Sequence, residues 1–419
     1  MTDIIVVGAG AAGFLAAITA AQQGASVVLL EKMPIVGKKL LITGKGRCNL
    51  TNACSPEELI HNLPGNGRFL HSALKQFGVE DVMHFFEHAG VPLKVERGQR
   101  VFPVSDKAGD IVACLLRVAK QAGVTVKTAS AVTRILTKDD RITGVEINHK
   151  EQMACRCVIL ATGGSSYPGT GTTGDGYRMA AALGHTITAL RPSLAPLECD
   201  YPNLPALMGS SLRNVEATLY QNDKAVQKEF GEVMITHFGL SGPLILTLSR
   251  RYGDLKLVKP EASYVMRINL KPALTAEQLD KRLQRDFQQF QRKQLKNALN
   301  ELLPQKLILP IIAAAGLEPE KFIHDLTRKE RMALLHVLQD WRFPIKGLRP
   351  LAEAIVTAGG VAVTEVNPKT MASKKVDGLF VVGETLDVDG FTGGFNLQAA
   401  FSTGYVAGKN AAEHVQVNQ

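Results

Sequence analysis

The segment IIVVGAGAAG, residues 4–13, constrains the fold more than any other stretch of the 419-residue chain. Ile4 to Val7 is a short apolar run suited to a buried strand. Gly8, Gly10 and Gly13 follow with G-x-G-x-x-G spacing, Phe14 to Gln23 reads as a helix, Val27 to Leu30 reads as a second strand, and Glu31 closes it. In such a βαβ unit Gly8 makes the tight turn, Gly10 lets a pyrophosphate approach the backbone, and Gly13 lets helix and strand pack closely. The helix start offers free N–H groups and a positive dipole end to an anion. Glu31 stands where a carboxylate accepts from a ribose hydroxyl. A glycine-rich turn without a ligand would need neither the flanking elements nor an acid about 20 residues on. The unit therefore points to a dinucleotide, without separating FAD from NAD.

The chain is too long for one compact core, so two or three domains are expected, roughly. Hydrophobic residues at 45% and charged residues at 21% place it among ordinary globular proteins rather than disordered ones. The net charge of +9 suits anionic cofactors or substrates, or weak RNA contact. One Trp and seven Tyr supply no evident aromatic platform for nucleic acid. Cys48, Cys54, Cys114, Cys155, Cys157 and Cys199 form neither C-x-x-C nor a zinc spacing, so neither a redox dithiol nor a metal site is predicted. Reduced thiols of a cytoplasmic protein are expected. The first apolar run lacks a basic flank and is not read as a signal peptide. No uncharged apolar stretch reaches about 18 residues, so no membrane association is predicted.

Past Glu31, residues 37–52 combine Gly37, Gly44 and Gly46 with Lys38, Lys39, Lys45 and Arg47. The spacing is not that of a Walker A loop. A basic loop rich in N–H groups could wrap the pyrophosphate and the ribityl or ring end of FAD; a solvated surface loop is the plainer reading. Asn49, Thr51 and Asn52 add short polar groups for a flavin edge. Ser105-Asp106 is expected to cap a helix from Ala108 to Gln121. Val132 opens a short β run that could place a backbone amide at an adenine edge, and Asp139-Asp140 supplies a hairpin turn. Val158 to Leu160 is a buried strand that leads into Ala161-Thr162-Gly163-Gly164, small enough for backbone to approach a dinucleotide. Thr173, Asp175 or both are expected to cap a helix from Gly176 to Leu183.

Prolines at 192, 196, 202 and 205 mark a change of texture. Residues 194–270 hold short alternating runs that suggest an antiparallel sheet or barrel. Residues 275–303 read as one or two amphipathic helices, and more helix is expected from Lys306 to Gln339. Between Arg250 and Lys306, thirteen Lys/Arg face six Asp/Glu, either a solvated basic face or an RNA surface. The last 60 residues repeat the strand, glycine and helix succession of the first 32. A strand ends at Gly383-Glu384, and Gly393-Gly394 lead into a small-residue helix from Asn396 to about Ala412. A second helix N-terminus makes sense against a flavin N1–C2=O locus, where negative charge develops on reduction.

These segments resemble a known family. GAGAAG with Glu31, AVTRI, ATGG and LFVVGE look like the FAD-binding fold of the glutathione-reductase and p-hydroxybenzoate-hydroxylase superfamily. GKGRCNLTN, SYPGTGTTGDGYRMA, THFGLSGP and GETLDVDGFTGGFNLQAA resemble more closely the BaiN-like, or aminoacetone-oxidase-like, bacterial NAD(P)/FAD-dependent oxidoreductases. The resemblance spans essentially the whole chain. It implies an α/β fold in which a Rossmann-like FAD domain (1–192 and 357–419) is interrupted by an insert (193–356). The insert comprises an antiparallel β-barrel at about 193–273 and 341–356, with a small helical bundle at about 274–340. It further implies that Gly8, Gly10, Ala11, Ala12, Gly13, Glu31 and Lys32 hold ADP, with Val132 near the adenine. Lys39, Gly46, Arg47, Cys48, Asn49 and Thr51 would line the middle of the cofactor, and Ala161, Thr162 and Gly163 would close over the adenosine. Gly383 and Glu384 fall at the ribityl-binding acid, where Asp is commoner, and Asp387 or Asp389 could share that role. Gly394, Phe395, Asn396 and Gln398 would face the isoalloxazine ring.

The expected activity is two-electron chemistry on a small organic substrate by an FAD-dependent oxidoreductase. With no second G-x-G-x-x-G, NAD(P)H would visit the flavin transiently, or substrate would reduce it and oxygen reoxidise it. A substrate pocket is expected near Phe102, Tyr167, His237 and Ser241. Two alternatives stand beside this reading: a flavoprotein of RNA modification or RNA binding, and a non-catalytic FAD-binding redox sensor. No residue is assigned as a proton donor or acceptor, and no oligomeric state is predicted.

Overall fold

The computed structural model describes residues 2–417. The chain divides into two compact units, Met1–Ser193 with Leu351–Gln419, and Leu194–Pro350. The first is built on a five-stranded parallel sheet in the order Leu379–Val381, Cys157–Leu160, Ile4–Val7, Val27–Leu30, Thr125–Lys127. Val6 pairs with Ile159 on one side and Leu29 on the other. The three central strands are buried at every position, which is why they read as unbroken apolar runs rather than alternating ones. The opening strand lies in the middle of the sheet, so the turn at Gly8 falls at the carboxyl ends of the strands, where open α/β sheets bind ligands.

The helix Ala11–Gln22 follows that turn, and the last helix, Phe395–Val417, packs against it. A Cβ on Gly404 or Gly408 would overlap the carbonyl of Ala12 or Ala16, so small residues on both helices permit close approach. Around the sheet lie small antiparallel pieces. Val132–Lys138, Arg141–Ile147 and Glu151–Ala154 form one, turned at Asp139 and Asp140, both with positive φ. Thr51–Asn52, Arg100–Pro103 and Leu93–Glu96 form another.

The second unit holds a closed six-stranded antiparallel barrel in the order Leu197–Cys199, Gly239–Ser241, Lys224–Ile235, Ser211–Gln221, Tyr264–Asn269, Trp341–Leu348. In Tyr264–Asn269 the inward residues Tyr264, Met266 and Ile268 alternate with half-buried ones. Trp341, almost fully buried, donates its indole N–H to Tyr201 at 2.8 Å. The helices Ala276–Gln289 and Arg328–Gln339 start in reciprocal capping boxes, Thr275 with Gln278 and Thr327 with Glu330.

Several local expectations are corrected. A 16-residue helix, Pro243–Val258, sits among the barrel strands where only β runs were expected. The basic loop begins with a short helix, Lys38–Ile42. Helix Ala108–Gln121 is preceded by Lys107 without a side-chain cap, because Asp106 bonds Arg47 and Lys94 instead. Asp175 lies inside its helix, Asp175–Ala182, and spends its carboxylate on Lys32 and Arg178 rather than on a cap. In the basic region Arg250, Arg267, Lys281, Arg282, Arg285 and Lys296 all pair with acids.

Candidate cofactor site

Gly8, at φ 104°, donates its N–H to Leu30 at 2.8 Å, and a Cβ there would meet the Ala161 carbonyl oxygen at 2.5 Å. A Cβ on Gly13 would overlap the Gly8 carbonyl. Gly10 differs: nothing lies within 4 Å of its Cβ position, so its open side is available to a ligand. Helix Ala11–Gln22 has no side-chain cap and no acid in its first turn. Its leading N–H groups, at Ala11, Ala12 and Gly13, therefore keep an uncompensated positive end.

Both oxygens of Glu31 grip the backbone, one accepting from Ala9 N–H at 2.9 Å and the other from Met33 N–H at 2.8 Å. Each oxygen retains a second lone pair for a hydroxyl. Ser130 donates to the Glu31 carbonyl at 2.9 Å, which brings the segment leading into Val132 beside Glu31. Lys32 turns to Asp175 at 2.5 Å and Thr173 at 2.6 Å. Burial disfavours ionised Asp175, but the Lys32 bond and charge outweigh it and hold the carboxyl below its usual range.

Ala161 donates to Val7 at 2.9 Å, Gly163 takes φ 72°, and Thr162 meets Thr385 at 3.5 Å. Gly383, at φ 63°, donates to Thr403 at 3.0 Å, and a Cβ there would come 3.0 Å from the Cβ of Ala12. The return strand and the glycine turn thus share one patch. Glu384 accepts from Lys39 at 2.8 Å, from Thr357 N–H at 2.8 Å and from Ser166 at 3.4 Å. Asp387 contributes backbone: its carbonyl accepts from Asn66 at 2.8 Å. Asp389 is buried and accepts from Ser193 at 2.6 Å.

In the basic loop, Gly44, Lys45 and Gly46 all have positive φ. Arg47 lies 4.1 Å over the Phe102 ring and pairs with Glu96 and Asp106; these two hydrogen bonds, Glu96 first, raise its already high pKa. Cys48 is fully buried, and burial pushes its thiol up to about 12. Thr51 and Gln398, expected at the ring edge, are both fully buried and bond each other at 2.6 Å. Asn396 closes on Gly390 with a pair of 2.8 Å bonds, and Phe395 is buried. Gly394, at φ 102°, lies so close to Thr51 that a Cβ would overlap its backbone. Phe102 is covered by Arg47, Tyr167 takes φ 50° at the head of a short turn, and His237 and Ser241 belong to the other unit. No His, Cys, Asp and Glu cluster with metal-holding geometry occurs among the described residues, and no helix there is long and apolar enough to cross a membrane.

The residues fit an FAD. The glycine turn is open only at Gly10, and two helices begin without an acid in the first turn. The buried Oδ1 of Asn49 has no partner within the protein, which is costly unless a ligand donates to it. Ser166, Tyr177, Thr357, Ser402 and Thr403, none marked by a sequence motif, brace these segments; Tyr177, for example, donates to the Glu384 carbonyl at 2.9 Å. Their partners lie far away in the chain, so no local pattern marks them.

Parallel sheet, glycine turn, the Glu31 carboxylate after the second strand and the return strand together define a Rossmann-type domain of flavoprotein class. Residues 2–410 match the HI0933-like protein Rossmann domain, and the chain belongs to that family of FAD-binding oxidoreductases. It is 31% identical to the 3-dehydro-bile acid delta(4,6)-reductase of Clostridium scindens, over 99% of this chain and 100% of that one. It is 30% identical to the ribosomal RNA dihydrouridine synthase of Escherichia coli, over 97% of each. Among solved structures, the 3-ketosteroid delta1-dehydrogenase of Sterolibacterium denitrificans shares the fold at a TM-score of 0.54, with 12% identity over 100% of this chain and 99% of that one.

Proposed function

We propose that the protein reduces an electron-poor C=C bond conjugated to a carbonyl in a small organic substrate, with NAD(P)H as the transient electron donor. FAD, when bound, supplies the two-electron chemistry; the chain binds and orients it and tunes its electronics. Gly8, Gly10 and Gly13 shape the pyrophosphate turn, Glu31 takes the ribose, and Lys39 with Glu384 fixes the return strand against the basic loop. The observation that carries the reading is the start of the last helix. It has no acid in its first turn and is fastened to the basic loop at Thr51 and Asn52, where Asn52 donates to Gly393 at 3.1 Å. A fixed positive end of this kind favours the negative charge that a flavin gains on reduction. The two full-length relatives are named for a bile acid delta(4,6)-reductase and for a dihydrouridine synthase, names that suit reduction of such a bond.

The experiment is anaerobic. Purified protein is expected to be yellow and to release FAD on denaturation. NADH or NADPH is expected to bleach it, and an α,β-unsaturated ketone to restore the colour. Protein that binds no FAD, or whose reduced flavin only oxygen reoxidises, would contradict the proposal. A second reading, reduction of uracil within RNA, is favoured by the dihydrouridine synthase relative. It predicts a salt-dependent RNA shift that disappears when Arg285, Arg292 and Lys296 are neutralised; no shift at low salt would count against it.

A further inference from the structure

Thr51 and Gln398 lie 347 positions apart and meet inside the protein. The Thr51 hydroxyl donates to Gln398 Oε1 at 2.6 Å. The other end of the amide, Nε2, donates to Ser402 Oγ at 3.0 Å and reaches the Phe77 carbonyl at 3.4 Å. Ser402 in turn donates to the Phe77 carbonyl at 2.6 Å. Thr51, Gln398 and Ser402 are each fully buried. With the amide oxygen toward the Thr51 hydroxyl and the NH₂ toward Ser402 Oγ and the Phe77 carbonyl, every polar atom of the three side chains has a partner.

This chain of bonds runs along the first two turns of the last helix. Gly394 seats its backbone on that of Thr51, and Asn52 holds the Gly393 carbonyl. The helix start is thus pinned to the basic loop from both sides of the Thr51–Asn52 segment. A helix terminus acts on charge only within about its first turn, so a small slip of this register would change the field that the helix applies to a reduced flavin.

We infer that Gln398 and Thr51 are positioning residues for the flavin: their buried hydrogen bond sets the register of the last helix against the basic loop and so tunes the reduction potential of the cofactor. The inference rests on the proposed FAD chemistry; both side chains are fully buried and bonded to protein groups. Thr51→Val deletes the hydroxyl and keeps the shape, whereas Thr51→Ser keeps the hydroxyl. Gln398→Met keeps the length and removes both polar ends.

The test measures the midpoint potential of the bound flavin, the dissociation constant for FAD and the melting temperature of the wild type and three variants. Thr51→Val and Gln398→Met are expected to weaken the reduced form relative to the oxidised form about tenfold, a fall of about 30 mV for a two-electron couple. Thr51→Ser is expected to stay at the wild-type potential. Equal potentials in Thr51→Val and Thr51→Ser would overturn the inference, as would a lower melting temperature with unchanged potential. Should Gln398→Met fail to fold, the Thr51 pair still decides. Wild-type protein without flavin would overturn the proposed function together with this inference; retained flavin with an unmoved potential overturns this inference alone.

Discussion

Gly404 has no room for a methyl group, because its Cα faces the carbonyl oxygen of Ala12. The same residue, Ala12, stands in the glycine turn that opens the cofactor site, so packing between the first and last helices is coupled to that turn. Gly404→Ala is expected to cost about 1–3 kcal/mol through overpacking and to weaken FAD binding. Thermal melts of the flavin-free protein and an FAD titration check both effects. A variant with unchanged melting temperature and affinity would show that the interface can relax.

Glu31 uses both carboxylate oxygens to order backbone at Ala9 and Met33. Glu31→Gln turns an NH₂ toward one of those N–H groups and loses a charge-assisted bond of about 1.5–3 kcal/mol. A roughly tenfold or greater rise in the FAD dissociation constant is expected, since 1.4 kcal/mol is about a factor of ten. Fluorescence titration of the flavin measures it, and an affinity within twofold of wild type would refute the assignment.

His185 is a buried neutral ring. Ser373 Oγ accepts the N–H groups of Lys375 and Val376, so its own proton goes to His185 Nε2 at 2.8 Å, and Nδ1–H goes to Glu365 at 3.0 Å. Burial lowers the His185 pKa, more than the bond and charge of Glu365 raise it, with Lys375 lowering it further. The unfolded chain therefore takes up this proton first. The stabilisation is complete above the ordinary value of about 6.5 and declines as pH falls below it, by at most about 1.4 kcal/mol per unit. Urea unfolding between pH 7.5 and 5 is expected to show this slope in wild type and a flatter one in His185→Gln. Glu365 enters only lower. Burial opposes its ionisation, yet Lys375 and Thr186 hold it at about 2, so its contribution is lost as pH falls below about 4.5.

None of the six thiols is activated. Burial pushes Cys48, Cys155, Cys157 and Cys199 up to about 12, and Cys114 also rises. Cys54, half-buried, is held at about 11 by burial and by the charge of Glu58. A thiol reagent at pH 8 is expected to label native protein slowly and at Cys54, and to label all six after denaturation. Fast labelling of Cys48 would mean that its loop opens.

The glycine turn and the parallel strands were legible because their signals are local. Gly8, Gly10 and Gly13 are separated by fixed backbone roles, and the buried parallel strands betray themselves as apolar runs. The barrel was legible from alternation such as that of Tyr264 to Asn269. Helix Pro243–Val258 was not: its apolar residues spread around the helix, and the strand-rich runs on either side suggested continuation of the sheet. Side-chain partnerships were the least visible. Arg47 reads as a cofactor ligand until Glu96 and Asp106 arrive from 49 and 59 positions away. Likewise Gln398 reads as a ring contact until Thr51 claims it.

The sheet order has a consequence for biosynthesis. Ile4–Val7 is synthesised before the unit Leu194–Pro350, whereas its neighbour's far partner, Leu379–Val381, and the helix that carries Gly404 are synthesised after it. The unit formed by Leu194–Pro350 can fold in the interval, since domains fold as units during synthesis. The parallel sheet cannot, because Leu379–Val381 follows that unit in sequence and its other strands precede it. A chain that stops before Leu379 lacks the partner of Cys157–Leu160 and the helix that covers Ala11–Gln22, which leaves those apolar faces open.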